Sequence, residues 1–469
     1  MKSHTPTLGL IIGNRDFFPD FLVTQARKDL LALFAEKNIT PVILDEDATK
    51  LGGVETFSDA NRCAELFKTH REELDGILVI LPNFGDEKGV LETIKLSGLN
   101  LPILVQAYPD DLKLMNPANR RDAFCGKISV CNNFKNAGIK YTLTSEHVSH
   151  PGSESFHKDL EAFVKVCRIV KELKNCRIGA IGARPSAFNT VRFSEKILEN
   201  NGISTTTIDL SEIFSKMNAL NANDPRIQEK LKSITGYLPC PSGKEQKLTE
   251  MAKLGLVIDE FVAENKLDAT AIQCWSSIQS TVGCNVCTQM SMMSEQLIPS
   301  ACEVDIAGAL SMLALQYASE APSMLVDWNN NYGGEEDKCV LFHCGNWAKT
   351  FLPEGKISTA PILGSTLGED NTFGALEGRT PACAVTLGRV STDDLTGKIC
   401  AYFADAELTN DPLDTFGNRA VAKVENLNDL MQYICQNGFE HHVAVTLHHN
   451  AAVLKEALGN YLGWEVHIH

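Results

Sequence analysis

Short, uninterrupted apolar runs, widely spaced along the chain, constrain this fold more than any other feature of the sequence. Leu8-Gly9-Leu10-Ile11-Ile12, Gly76-Ile77-Leu78-Val79-Ile80-Leu81 and Pro102-Ile103-Leu104-Val105-Gln106 are each of strand length. Stretches with helical spacing of apolar residues, 21–37 and 59–71, fall between them. A strand that is apolar throughout must be covered on both faces, and intervening helices supply that cover. The pattern therefore predicts a doubly wound parallel sheet. The rhythm restarts after a long helical stretch at 154–173, with strand-like runs at 177–182, 205–210 and 269–274. Helices are expected at 248–264, 290–296 and 301–316, and a last strand of this unit at 323–328. From about residue 356 the pattern changes. Runs at 381–387, 397–403 and 420–424 lie close together, separated by glycines and by Thr-Asp-Asp and Asn-Asp-Pro, which predicts a small antiparallel, barrel-like sheet. The expected class is α/β: doubly wound domains at 1–172 and 173–355, then a β-rich domain at 356–469.

The 469 residues exceed one ordinary core, in keeping with several domains. A net charge of −16 repels phosphate backbones and anionic lipids, so neither nucleic acid nor a membrane surface is an expected partner. No apolar segment approaches the roughly 20 residues that span a bilayer. The first apolar run lacks the shape of a signal peptide. Together with 15 cysteines, an odd number, this predicts reduced thiols in a cytoplasm. Cys284-Asn285-Val286-Cys287 has redox or zinc spacing, but no second such pair follows, and it reads as structural.

Chemistry concentrates between residues 303 and 343. Glu303 and Asp305 follow an apolar run, Asp327 ends Leu325-Val326, and His343 ends Val340-Leu341-Phe342. A bare carboxylate in such surroundings is costly and calls for a cation or a partner. His448-His449 near the C-terminus completes a mixed oxygen and nitrogen set suited to Mn²⁺, Co²⁺, Fe²⁺ or Mg²⁺. The plain alternative is that Glu303 and Asp305 cap or decorate a helix start and that His448 and His449 lie on the surface. Elsewhere, loops at strand carboxyl ends place Arg15, Arg184, Gln273 and the helix-surface candidate Arg192 near ligand rims. No GxGxxG opens the first helix, so a dinucleotide site has little support.

Ser300-Ala301-Cys302-Glu303-Val304-Asp305-Ile306, Leu325-Val326-Asp327-Trp328-Asn329, Phe342-His343-Cys344-Gly345 and Thr446-Leu447-His448-His449-Asn450 resemble, in that order, motifs of the L-fucose isomerase and L-arabinose isomerase family. The resemblance extends in layout over nearly the whole chain. It implies that Glu303, Asp327 and His449 hold a divalent metal, Mn²⁺ or a similar ion, with His343 a fourth ligand or an outer contact. It further implies that Glu303 and Asp327 are the acid/base pair of an aldose–ketose isomerase. Arg15, Arg184, Gln273, His448 and Asn450 become candidate sugar contacts, and a trimer-based homo-oligomer, often a hexamer with shared sites, is expected. The chain is shorter than typical fucose or arabinose isomerases, and 329–336 departs from both branches. Shorter relatives act on other sugars, among them sulfonated sulfoquinovose, which an arginine can pair. A non-catalytic sugar-binding or sensory protein and a metal-dependent aldolase or hydrolase are the competing readings.

Overall fold

In the computed structural model, residues 5–221 and 223–469 are described. The chain forms two compact units, one of residues up to 171 with 456–463, the other of 172–455 with 464–469.

In the first unit, β1 (Thr7–Ile12), β2 (Thr40–Val42), β3 (Gly76–Leu81), β4 (Ile103–Ala107) and β5 (Thr142–Leu143) form one parallel sheet in the order β2-β1-β3-β4-β5. β1, β3 and β4 are buried throughout, as their unbroken apolar runs require.

The second unit begins with another parallel sheet. β6 (Arg177–Ile181), β7 (Ser204–Ile208), β8 (Ala269–Ile272) and β9 (Ser300–Ala301) lie in the order β7-β6-β8-β9. It continues with β10 (Ser323–Asn331), β11 (Lys338–His343), β12 (Lys356–Ser358), β13 (Ala375–Arg379), β14 (Cys383–Asp393), β15 (Lys398–Thr409), β16 (Asn418–Lys423), β17 (His442–Leu447) and β18 (Glu465–Ile468). Within this larger sheet the run β16-β11-β10-β17-β14-β15 is antiparallel at every step, and β15 pairs back onto β16. The run therefore closes into a barrel, and Val326, Leu341, Leu387, Ala404, Ala422 and Val445 share one buried cluster within it. The fold is thus two parallel α/β sheets plus a barrel-like, mostly antiparallel C-terminal sheet. β10, which the sequence pattern places as the last strand of the central α/β segment, is a barrel strand, as is β11. A short apolar run such as 324–326 looks the same in either setting.

The helix Ile306–Ser319 contacts β6 and β8 of the parallel sheet and β14 and β17 of the barrel. It is buried from Ile306 to Ala318, so it is apolar on every side. It starts later than the sequence pattern predicts. Asp305 is its N-cap, accepting the Gly308 N–H at 2.8 Å, and the residues before it cannot be helical. Glu303 and Val304 have φ of 55° and 57°, the left-handed region, where a β-branched valine is strained by about 1–3 kcal/mol. That kink holds Glu303 at the carboxyl end of the parallel sheet instead of on a helix. No helix among the described residues is long and apolar enough to cross a membrane.

Candidate active site

The second unit brings Glu303, Asp327 and His343 to one cavity of about 620 Å³, together with His441, His442, Phe188, Trp275 and Cys344. Strand register assembles it. Asp327 on β10 lies opposite Phe342 on β11 and opposite His442 on β17, so an acid and an imidazole are cross-strand neighbours.

Glu303 is 5% exposed. Its Oε1 accepts the Trp275 indole N–H at 3.0 Å and the Cys274 thiol at 3.3 Å. Its Oε2 is buried and accepts no hydrogen bond. Facing that oxygen are His442 Nε2 at 3.5 Å and His343 Nε2 at 3.9 Å. His442 Nε2 also lies 3.5 Å from Asp327 Oδ1, and His441 Nε2 lies 3.6 Å from the same oxygen. Burial raises the Asp327 carboxyl against the opposing pull of His442 and His441, which readies it to carry a proton.

The two buried imidazoles are held in opposite tautomers. His442 is anchored from behind, with Nδ1 2.8 Å from Asp305 Oδ2. Asp305 also receives Arg389 through Nη1 at 2.6 Å and Nη2 at 2.9 Å. Burial alone would raise the Asp305 carboxyl, but Arg389 and the His442 bond hold it far below the usual carboxylate range. An ionised Asp305 only accepts, so His442 donates from Nδ1, and in the neutral ring Nε2 offers its lone pair to the cavity. His343 is reversed. Its Nδ1 accepts the Cys344 backbone N–H at 2.9 Å, and burial lowers the ring to about 4, so its proton sits on Nε2. His343 is therefore built as a donor into the cavity.

Arg389 and Asp305 are both fully buried, and Glu440 binds Arg389 Nε at 3.0 Å while accepting the Ser391 hydroxyl at 2.7 Å. Burying such charges is tolerable only with this degree of mutual satisfaction. Burial lowers the His442 pKa, but the bond to Asp305 and the charges of Asp305, Glu303 and Asp327 outweigh it, and the net shift is upward. The three acids thus favour positive charge beside the His442 ring. An orphaned carboxylate oxygen, an available imidazole lone pair and a second carboxylate are a donor set that fits a divalent ion.

The structure does not bring His448 and His449 to this group. His449 has half of its side chain exposed, with Nε2 3.3 Å from Glu407. His448 has a φ of 66° and gives its backbone N–H to Ala384 at 2.8 Å. Both lie beyond the Leu447 end of β17, whereas His442 opens the strand, so His448 is six residues of rise, about 20 Å, from His442. Asn450 is spent on the same turn, donating from Nδ2 to Leu447 and His448 carbonyls at 3.0 and 3.2 Å.

Gln273 accepts the Ala183 N–H and donates to Ser277, bracing the loop that carries Trp275. Arg184 donates to the Phe188 carbonyl at 2.9 Å and so supports a residue of the cavity wall. Arg192 is exposed and donates to the Asn189 carbonyl. Arg15 belongs to the other unit, where it pairs with Glu87 and lies over the Phe84 ring. The residues missed from sequence are His441 and His442, and a signal for them was present. His441-His442 precedes the apolar run 443–445 just as Asp327 follows 324–326, which is how partners at one end of an antiparallel pair read.

Residues 9–174 match the family model described as fucose/sulfoquinovose isomerase, N-terminal domain, and residues 341–469 match that of L-fucose isomerase, C-terminal domain. The sulfoquinovose isomerases of Priestia aryabhattai and Priestia megaterium are each 23% identical over 447 residues, 94% of either chain. That of Alkalicoccus urumqiensis is 25% identical over 311 residues, 66% of this chain and 67% of the relative. A solved arabinose-transporter periplasmic binding protein from Shewanella sp. ANA-3 covers 57% of this chain and 73% of its own at 10% identity. Its TM-score of 0.16 carries no argument for a binding-protein fold. The matched domain models together span more than half of the residues, relatives of a single kind run along nearly the full length, and the chain belongs to the fucose/sulfoquinovose isomerase family of sugar isomerases.

Proposed function

We propose that this isomerase interconverts an aldose and its ketose in a divalent-metal-dependent way, with Glu303 and Asp327 as its acid/base pair. Glu303, Asp327 and His442 are the proposed metal ligands. His343, whose Nε2 faces the same Glu303 oxygen as His442, is a further ligand or a hydrogen-bond donor to a sugar oxygen. The expected ion is Mn²⁺, with Co²⁺, Fe²⁺ or Mg²⁺ as substitutes, and when bound it acidifies the C–H beside the sugar carbonyl and steadies the enediolate. The unpartnered Glu303 Oε2, facing two imidazoles inside the cavity, is the observation that carries this reading.

The proton balance suits two carboxylates. Going from aldose to ketose, C2 loses a proton and C1 gains one, while the hydroxyl proton of O2 is transferred to O1. One carboxylate serves the carbon and the other the oxygens. Trp275 and Cys274 hold Glu303 by Oε1 and leave Oε2 for transfer. Asp327, with its raised carboxyl, accepts and returns a proton at small cost. The rings of Phe188, Trp275 and His441 wall the cavity, and sugar C–H faces pack against such surfaces.

The proposed sugar is a sulfonated hexose of the sulfoquinovose type, on the strength of the full-length relatives, with a deoxyhexose or plain hexose as the alternative. Arg184, on the loop that carries Phe188, is the proposed contact for an anionic end. A homo-oligomer is proposed as well. Phe17, Leu112, Leu114, Met115 and Phe124 of the N-terminal unit expose apolar surface that a second copy of this chain would cover. Free thiols throughout suit a cytoplasmic setting. The test is a sugar panel including sulfoquinovose and L-fucose, with Mn²⁺ in D₂O, followed by NMR. Ketose carrying deuterium at C1 is expected. Label-free ketose argues for a hydride shift, and no ketose from any sugar sinks the proposal.

A further inference from the structure

Behind Glu303, on the side away from the imidazoles, lies a group of thiols that the isomerase chemistry leaves unused. Cys274 lies two residues past β8 and Cys302 follows β9, so adjacent parallel strands deliver both sulfurs to one spot. Cys274 Sγ, Cys302 Sγ and a Glu303 carboxylate oxygen lie within 4.8 Å of one another. All three residues are buried, at 5%, 1% and 5% exposure. Cys274 donates to Glu303 Oε1 at 3.3 Å. Cys287, the second cysteine of the CxxC, and Cys344 stand close enough to these groups to interact electrostatically. Cys344 also lines the catalytic cavity, so the thiol group borders a route from solvent.

We propose that Cys274, Cys302 and Glu303 form a second cation site, selective for thiophilic ions such as Zn²⁺ or Cd²⁺, whose occupancy inhibits the enzyme. Sulfur selects the ion. Thiolates favour soft and borderline cations, whereas the carboxylate–imidazole side of Glu303 suits harder ones. Glu303 is the shared element, with Oε1 toward the sulfurs and Oε2 toward His442 and His343. Binding forms two metal–sulfur bonds and one metal–oxygen bond and releases the two thiol protons to solvent, with no change of oxidation state. Coordination of Oε1 by the added cation draws electron density from the Glu303 carboxylate and weakens it as a base, so turnover is lost with the first metal still in place. Without that cation Cys274 serves only as a donor to the carboxylate.

The inhibition rests on the base role proposed above for Glu303, but the binding does not, and the two are read separately. Cd²⁺ is added to the Mn²⁺-loaded enzyme while the ultraviolet thiolate-to-cadmium band, retained Mn²⁺ and activity are followed together. Expected are one Cd²⁺ per chain with the thiolate band, full Mn²⁺ retention and loss of activity. Cys302→Ser should lose the band and remain active in Cd²⁺, while a variant at exposed Cys435, Cys435→Ser, should behave as the parent. Absence of the band, a band unchanged in Cys302→Ser, or displacement of Mn²⁺ in place of added Cd²⁺ each overturns the proposal. Should the enzyme hold no Mn²⁺, the isomerase mechanism fails while the Cd²⁺ band still decides the thiol site. If Cys302→Ser does not fold, Cys274→Ser read by the same band decides it.

Discussion

The chain contains the dipeptide His-His twice, at 441–442 and 448–449, and β17 puts one pair at each end. The first pair meets Asp327 across the strand and Glu303 from the kinked loop after β9, with Asp305 and Arg389 behind it. The second meets Glu407, an exposed partner, and main-chain carbonyls. His442 is 1% exposed, while half of the His449 side chain meets solvent. The dipeptides are chemically identical, so the difference lies in what surrounds them. A buried carboxylate that fixes the tautomer and further acids facing the other nitrogen set up a histidine as a candidate ligand. Without those, it is a surface residue.

The contrast can be broken from its acidic side first. Glu303→Gln keeps the shape and removes the base, and kcat should fall by roughly 100- to 10,000-fold, the span of general acid–base effects, with metal still bound. Substantial turnover in that variant would remove Glu303 from the proton path. His442→Ala comes next. Its Mn²⁺ dissociation constant, measured calorimetrically, should rise by more than the roughly 10–100-fold typical of losing an outer-shell partner. Asp305→Asn should fall within that same span of about 10–100-fold and also leave Arg389 without its main counter-ion, costing about 3–5 kcal/mol in denaturant unfolding. Unchanged affinity would show that His442 needs no support from behind. The smallest effect belongs to the exposed pair. His449→Ala should leave turnover near the parent value and change stability by no more than about 0.5 kcal/mol, as for ordinary surface substitutions.

Glu303, Asp327 and His343 were legible because each ends or interrupts an apolar run, where a polar group needs a reason. The parallel sheets were legible for a related reason, since a strand buried on both faces has no room for alternation. The choice between the two histidine pairs was not legible, because it depends on register. Only the pairing of Asp327 with His442, and not with residues further along β17, says which pair meets the acids. The start of the helix after Glu303 was legible only as an alternative, that Glu303 and Asp305 stand at a helix start, and Asp305 is the one that caps it. Alanine-rich sequence favours helix from residue 301, but Asp305 caps it and the chain bends into the left-handed region at Glu303 and Val304 instead. Asp305 stood out as a buried acid, yet its role is visible only once Arg389, 84 residues away in sequence, is seen to hold it.

The most direct test of the account is the metal content of the wild type, His442→Ala and His449→Ala proteins, loaded with Mn²⁺, desalted and assayed by elemental analysis alongside protein concentration. The account predicts one Mn²⁺ per chain in the wild type and in His449→Ala, and none in folded His442→Ala. Metal lost from His449→Ala and kept by His442→Ala would contradict it outright.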